Sequence, residues 1–178
     1  YLRNEAPLAR VAVVYSQQTA GFYGGERARE KVEDHTLGMY QALIEARVPF
    51  EMVHDRLLDA AHTDRFKLLI FDEIYCGLGR TGRLWAADHA GVAPDVLLTG
   101  KALGGGLPLS ACLCSERAIA GWPPSDGEAL HTSTFLGHPA ACAAACAALD
   151  ELVARDLPAR AARLGVQLLE MLRGRLAR

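Results

Sequence analysis

Two residues carry the chemistry in this chain, an aspartate and a lysine. Asp72 closes the apolar run "KLLIFDE", and Lys101 closes "PDVLLTGK", 29 residues later. A lysine at a strand end can form a Schiff base if burial lowers its pKa, because only the neutral amine is nucleophilic. A carboxylate at a strand end can keep a pyridine nitrogen protonated, which makes the ring an electron sink. That division of labour suits pyridoxal 5'-phosphate (PLP). Taken alone, Lys101 reads first as a surface lysine, the commonest fate of the residue type.

Other chemistries compete for the same stretch. Gly77, Gly79 and Gly82 in "FDEIYCGLGRTG" fit G-x-G-x-x-G. A dinucleotide loop needs its first glycine directly after a strand, a long following helix and an acid ending the next strand. Here Gly77 comes four residues after Glu73, the next helix is short, and Asp95 precedes the next strand. The apolar run ending in Asp72 and Glu73 resembles a Walker B strand, but no Walker A loop precedes it, and Gly100-Lys101 is followed by Ala102. Ser16 lacks a nucleophile elbow. Glu26 and Glu30 read as a solvated helix face. Asp72 and Glu73 are neighbours on a strand, so they point apart and cannot flank one glycosidic bond. His138, Cys142 and Cys146 share a helical stripe that a metal would accept, but the alanines between them read more simply as tight helix packing.

These residues need elements to position them. "VAVVYS" (11–16), "VPFEMVHD" (48–55) and "FKLLIFDE" (66–73) read as strands. Between them, Leu37, Tyr40 and Ile44 fall at helical spacing in a helix over 26–46, after a glycine-rich loop "GFYGGE", and "RLLDAAHT" makes a short helix or turn. The β-α-β-α-β order predicts a parallel, doubly wound α/β sheet with right-handed crossovers. Downstream come a short helix "RLWAADHAG", the strand "PDVLLTGK", the loop "KALGGGLP" and the strand "LSACLCS". An Ala-rich helix starts at Pro139, which suits a first turn, and a second starts at Pro158 and runs to Arg178.

The bulk numbers bound the rest. The 178 residues suffice for one domain with a core. A net charge of −2 gives no reason to expect nucleic acid, and no apolar run is long enough for a membrane span. The charged, proline-broken start is not a secretory signal. Five cysteines without a C-x-x-C argue against a zinc site and for a reducing, cytoplasmic setting. Cys112 and Cys114 are spaced to share one strand face.

Residues 67–178 resemble the large-domain core of class III (omega-type) aminotransferases. The motifs that carry the resemblance are F-D-E-I, G-x-G-R-T-G, A-P-D, G-K-A-L-G-G-G-L-P and T-F-x-G-x-P, in order. The resemblance implies the fold-type-I PLP architecture, truncated here, and PLP as cofactor. It implies that Asp72 bridges the pyridine nitrogen, that Ile74 packs on the ring, that Lys101 holds the cofactor and shuttles the proton, and that Thr134 bonds the phosphate across a homodimer interface. Gly77, Gly79, Arg80 and Gly82 would shape the loop after the Asp strand. The implied substrates are an amino donor and an oxo-acid or aldehyde. Two positions differ: Tyr75 stands where Gln or a small residue is common, and His138, read as a loop hydrogen-bonder, stands where Asn is usual.

Residues 1–66 lack the family's phosphate turn and stacked aromatic. They resemble instead the flavodoxin-like trimerisation domain of some β-galactosidases. The chain is therefore read as one α/β domain over 1–178, composite in origin: a flavodoxin-like half at 1–70 and an aminotransferase half at 71–178, joined near Leu68 to Phe71. The family's carboxylate-binding Arg is also missing. Arg155, Arg160, Arg163, Arg173 and Arg175 read as a solvated helix face. Two functions stay open: a PLP-dependent aminotransferase, and a non-catalytic structural or oligomerisation module that retains a remnant cofactor motif.

Overall fold

The computed structural model describes residues 9–15, 34–125, 127 and 134–176. The "GFYGGE" loop, Ser16, Glu26 and Glu30 lie outside the described residues.

Five strands form one sheet: β1 (Val11–Tyr15), β2 (Phe50–His54), β3 (Leu68–Asp72), β4 (Val96–Thr99) and β5 (Ala111–Cys114). Their order is β2-β1-β3-β4-β5. The first four are parallel, and β5 runs antiparallel to β4. Five described helices accompany them: α1 (Asp34–Glu45), α2 (Ala60–Thr63), α3 (Glu116–Ile119), α4 (Pro139–Ala154) and α5 (Leu157–Leu176). The expected mostly parallel α/β architecture is what forms. The short helix expected at "RLWAADHAG" is a single 3-10 turn, Ala86–His89.

The apolar patterns explain the layering. β1 is flanked by β2 and β3, and Ala12, Val13 and Val14 are all buried. A strand buried on both faces needs a continuous apolar run, and "VAVV" supplies it. On one face, Ala12 and Val14 meet Leu69 and Phe71 in register and join Val53, Phe66 and Ala87 in the core. On the other, Val13 pairs with Ile70. The stripe of α1 behaves differently: Leu37, Tyr40 and Ile44 are exposed, and only Tyr40 among them meets an aromatic partner, Phe50, edge to face at 5.2 Å.

The glycines of the G-x-G-x-x-G segment have a packing role. Gly79 (φ +89) and Gly82 (φ +94) adopt backbone conformations that L side chains rarely take. A Cβ on Gly79 would stand 3.0 Å from Pro158 Cγ, and one on Gly82 would stand 2.9 Å from Ala162 Cβ. Pro158 and Ala162 lie one turn apart on α5, so the two glycines form its seat. The loop after Lys101 seats α4 in the same way. A Cβ on Gly105 (φ +59) would meet Ala144 O and Ala148 Cβ at 3.6 Å. Ala141 and Ala145 are buried on that helix, as the Ala-rich pattern requires.

A candidate cofactor site at the carboxyl ends of two strands

β3 and β4 are adjacent and parallel, so Asp72 and Lys101 emerge at the same end of the sheet. Asp72 is in register with Leu98, three residues before Lys101. The ladder continues one step further, because Glu73 N–H donates to Leu98 O at 2.8 Å. Open α/β sheets bind ligands outside these carboxyl ends.

The pleat gives the two adjacent carboxylates different surroundings. Asp72 is half-buried, and its Oδ1 accepts the Ile74 N–H at 3.0 Å, a local turn that fixes the side chain. Glu73 is 2% exposed. Its Oε1 accepts the Ala87 N–H at 2.9 Å and its Oε2 the Ala86 N–H at 3.0 Å. The Cys76 thiol donates to the same Oε2 at 3.1 Å. Burial, then the charge and bond of Glu73, push that thiol far up, so it stays protonated. Glu73 thus ties the start of the glycine loop to the 3-10 turn at Ala86. The sequence reading gave Glu73 no task of its own. The available signal was an acid one residue past a strand, beside an Asp already assigned.

Lys101 opens a 3-10 turn (Lys101–Gly104) capped by Gly105 in the left-handed region. Lys101 itself has φ +45. A non-glycine residue there costs about 1–2 kcal/mol, and such strain gathers at functional sites. Lys101 is exposed. Its Nζ lies 3.1 Å from the centre of the Tyr75 ring, a cation–π contact. Ile74 borders the same place, since its Cγ2 would be 3.6 Å from a Cβ on Gly100. The buried Thr99 hydroxyl, at the last residue of β4, has no hydrogen-bond partner among the described residues.

Asp72, Ile74, Tyr75 and Lys101 therefore come together. Thr134 lies in an exposed turn ahead of α4, and no hydrogen bond joins it to them among the described residues. His138 is the N-cap of α4, its Nδ1 accepting the Ala141 N–H at 3.3 Å. It is a loop hydrogen-bonder, in the position where Asn, another good N-cap, would serve. Asp95 sits at the opposite, amino-terminal end of β4. There Oδ2 accepts the Leu69 N–H at 3.0 Å and Oδ1 takes bonds from Arg117 and Ser115. The five arginines of α4 and α5 are exposed.

The donor set fits a PLP ring. Among the described residues only Oδ1 of Asp72 is engaged, which leaves the other carboxylate oxygen to face a ring nitrogen. The amine of Lys101 stands just past the end of the adjacent strand.

Residues 57–177 match the profile of the family described as Aminotransferase class-III. The acetylornithine aminotransferase of Gloeobacter violaceus is 41% identical over 146 residues, which are 80% of this chain and 35% of that protein. An (S)-enantioselective omega-transaminase from Thermomicrobium roseum superposes with a TM-score of 0.60 at 36% identity, over 67% of this chain and 27% of its own. The ornithine aminotransferase of Toxoplasma gondii, described with partial occupancy of PLP at its active site, superposes with a TM-score of 0.62 at 28% identity. That match covers 95% of this chain and 47% of the other. The chain thus spans about a third of the first of these relatives. The match to the family begins at residue 57 and runs unbroken through residues 68–71, where the sequence reading expects a junction. Its extent, together with the Asp72 and Lys101 geometry, places this chain in the class-III aminotransferase family.

Proposed function

We propose that this chain carries the cofactor-binding core of a PLP-dependent aminotransferase, which exchanges an amino group between an amino donor and an oxo-acid or aldehyde. The observation that supports this reading is the meeting of Asp72 and Lys101 at the ends of adjacent parallel strands. When bound, PLP supplies an electron-withdrawing ring and an aldehyde that links covalently to amines. Asp72 would hold a proton on the ring nitrogen through the oxygen not taken by Ile74. Lys101 Nζ would carry the covalent link and then move the proton to and from the substrate Cα. Ile74 would pack on one ring face. Thr134 Oγ1 would bond the phosphate. We propose a homodimer in a cytoplasmic setting, with Thr134 reaching a partner's site. The exposed Phe135 and Leu136 beside it suit an interface. Among the described residues no helix is long and apolar enough to cross a membrane.

The test is direct. PLP added to the purified chain should give a visible absorbance band, and borohydride should fix the cofactor on Lys101. Lys101→Ala should abolish both. A wild-type chain with no band and no borohydride-stable adduct overturns the reading. Binding without turnover favours the second reading, a remnant cofactor module.

We also propose that residues 1–178 form one domain. The position of β1, from the amino-terminal half, between β2 and β3 supports it. A flavodoxin-like origin for residues 1–70 draws on the order β2-β1-β3-β4, which flavodoxin-like sheets share. The family match from residue 57 weighs against a junction at Leu68–Phe71.

A further inference from the structure

We propose that Cys112 and Cys114 form a two-thiolate clamp for a thiophilic divalent cation of the zinc or cadmium kind. The two residues are two apart on β5, so their side chains share one sheet face. Their sulfurs lie 3.7 Å apart, and both residues are free and exposed. In a tetrahedral site with Zn–S bonds of about 2.3 Å, two sulfurs stand about 3.8 Å apart. The thiols are therefore already at the bite distance of such an ion.

A disulfide suits the pair less well. Residues two apart on an extended strand have Cα atoms about 6.6–6.8 Å apart, at the outer limit of what a disulfide spans. Chelation needs no backbone movement. Each metal–sulfur bond forms as one thiol proton leaves to solvent, so no oxidant or reductant is needed. No third His, Cys, Asp or Glu completes a metal cluster among the described residues. Water or a small thiol therefore fills the remaining positions, which makes the site open and exchangeable. Both thiols are exposed, so an ion can reach them. Cys112 pairs with Leu98, which pairs with Asp72. The clamp thus sits two strands from Asp72, about 10 Å away on the same sheet face.

The experiment is a titration of the reduced chain with cadmium(II), followed by thiolate-to-metal absorbance in the ultraviolet. One equivalent is expected, with two fewer thiols open to a colorimetric reagent. Cys112→Ser and Cys114→Ser should each weaken binding at least tenfold, and Cys142→Ser should leave it unchanged. Alkylation of the wild-type chain, read by peptide mass, gives the same answer without a variant: the ion should protect Cys112 and Cys114 and spare neither Cys142 nor Cys146. Full binding by the Cys112→Ser, Cys114→Ser double variant overturns the proposal. So does half an equivalent accompanied by a metal-induced dimer, because the clamp is intrachain.

Discussion

Replacing Gly82 by alanine separates the two explanations of the G-x-G-x-x-G segment. If the glycines exist to seat α5, the cost of Gly82→Ala has two parts. The first is conformational: φ +94 is unfavourable for an L residue, by about 1–2 kcal/mol. The second is steric: the new Cβ lies 2.9 Å from Ala162 Cβ, and overpacking of this kind costs about 1–3 kcal/mol. The sum is about 2–5 kcal/mol. The parts separate in a double-mutant cycle. Ala162→Gly alone should cost about 0.5–1 kcal/mol, because glycine in a helix interior loses more conformational freedom. Combined with Gly82→Ala, it removes the opposing Cβ and should return most of the steric part, but none of the conformational part. Urea unfolding followed by circular dichroism gives the four stabilities. Strict additivity refutes the seat, because the residues would then not be touching. A Gly82→Ala variant as stable as wild type refutes the backbone argument as well.

Two further outcomes follow from the buried carboxylates. Glu73→Ala strands the Ala86 and Ala87 N–H groups and should cost about 2–6 kcal/mol by urea unfolding, at about 1–3 kcal/mol per unpaired group; a loss below about 0.5 kcal/mol would show that the latch is not holding. For Asp95, burial raises the carboxyl pKa, but the bonds from Arg117, Leu69 N–H and Ser115, with the Arg117 charge, outweigh it, so the group titrates below its ordinary range. A lowered folded-state pKa contributes stability above the unfolded value of about 3.9, and that stability is lost as pH falls through the folded value. Arg117→Ala should therefore lower stability at neutral pH, by no more than about 1 kcal/mol since Arg117 is two-thirds exposed, and the difference from wild type should vanish as pH falls through the folded-state value; a difference that persists undiminished at acid pH would contradict the assignment.

The sheet was legible because its signals are local. "VAVV", "LLIFD" and "VLLT" are apolar runs of strand length, and each forms a strand. The placement of Asp72 and Lys101 at one end of the sheet was legible because both come at or just past the carboxyl ends of apolar runs that form adjacent parallel strands. The Tyr75 perch was not, because it depends on the left-handed backbone at Lys101, and nothing in "TGKAL" announces a positive φ on a lysine. The task of the glycine loop was hidden for a related reason. Glycine records that a Cβ is unwelcome, but not whether a phosphate or a helix excludes it. Only the partners, Pro158 and Ala162, some 80 residues downstream, decide between them. The stripe on α1 was read rightly as a helix, but helical spacing of Leu37, Tyr40 and Ile44 states only that a face is apolar and does not supply the surface that would cover it.

The neighbouring acids show how one strand end supplies both a support and a reactive group. Successive residues on a strand face opposite ways, so the chain cannot place two adjacent carboxylates in the same environment. Glu73 turns inward, where an unpaired polar group is costly, and it is held by two backbone N–H groups and a thiol. That same set of bonds fixes the backbone immediately after Asp72. Asp72 is then held in place by a single local bond from Ile74 and by the ladder bond between Glu73 and Leu98. Its second oxygen needs no partner within the protein because the group is only half-buried. A charge held through one oxygen, on a backbone fixed by its neighbour's bonds, keeps its other oxygen available to a ligand. Two acids in sequence therefore do what one cannot: the buried one satisfies the loop, and the outer one remains available to face a cofactor.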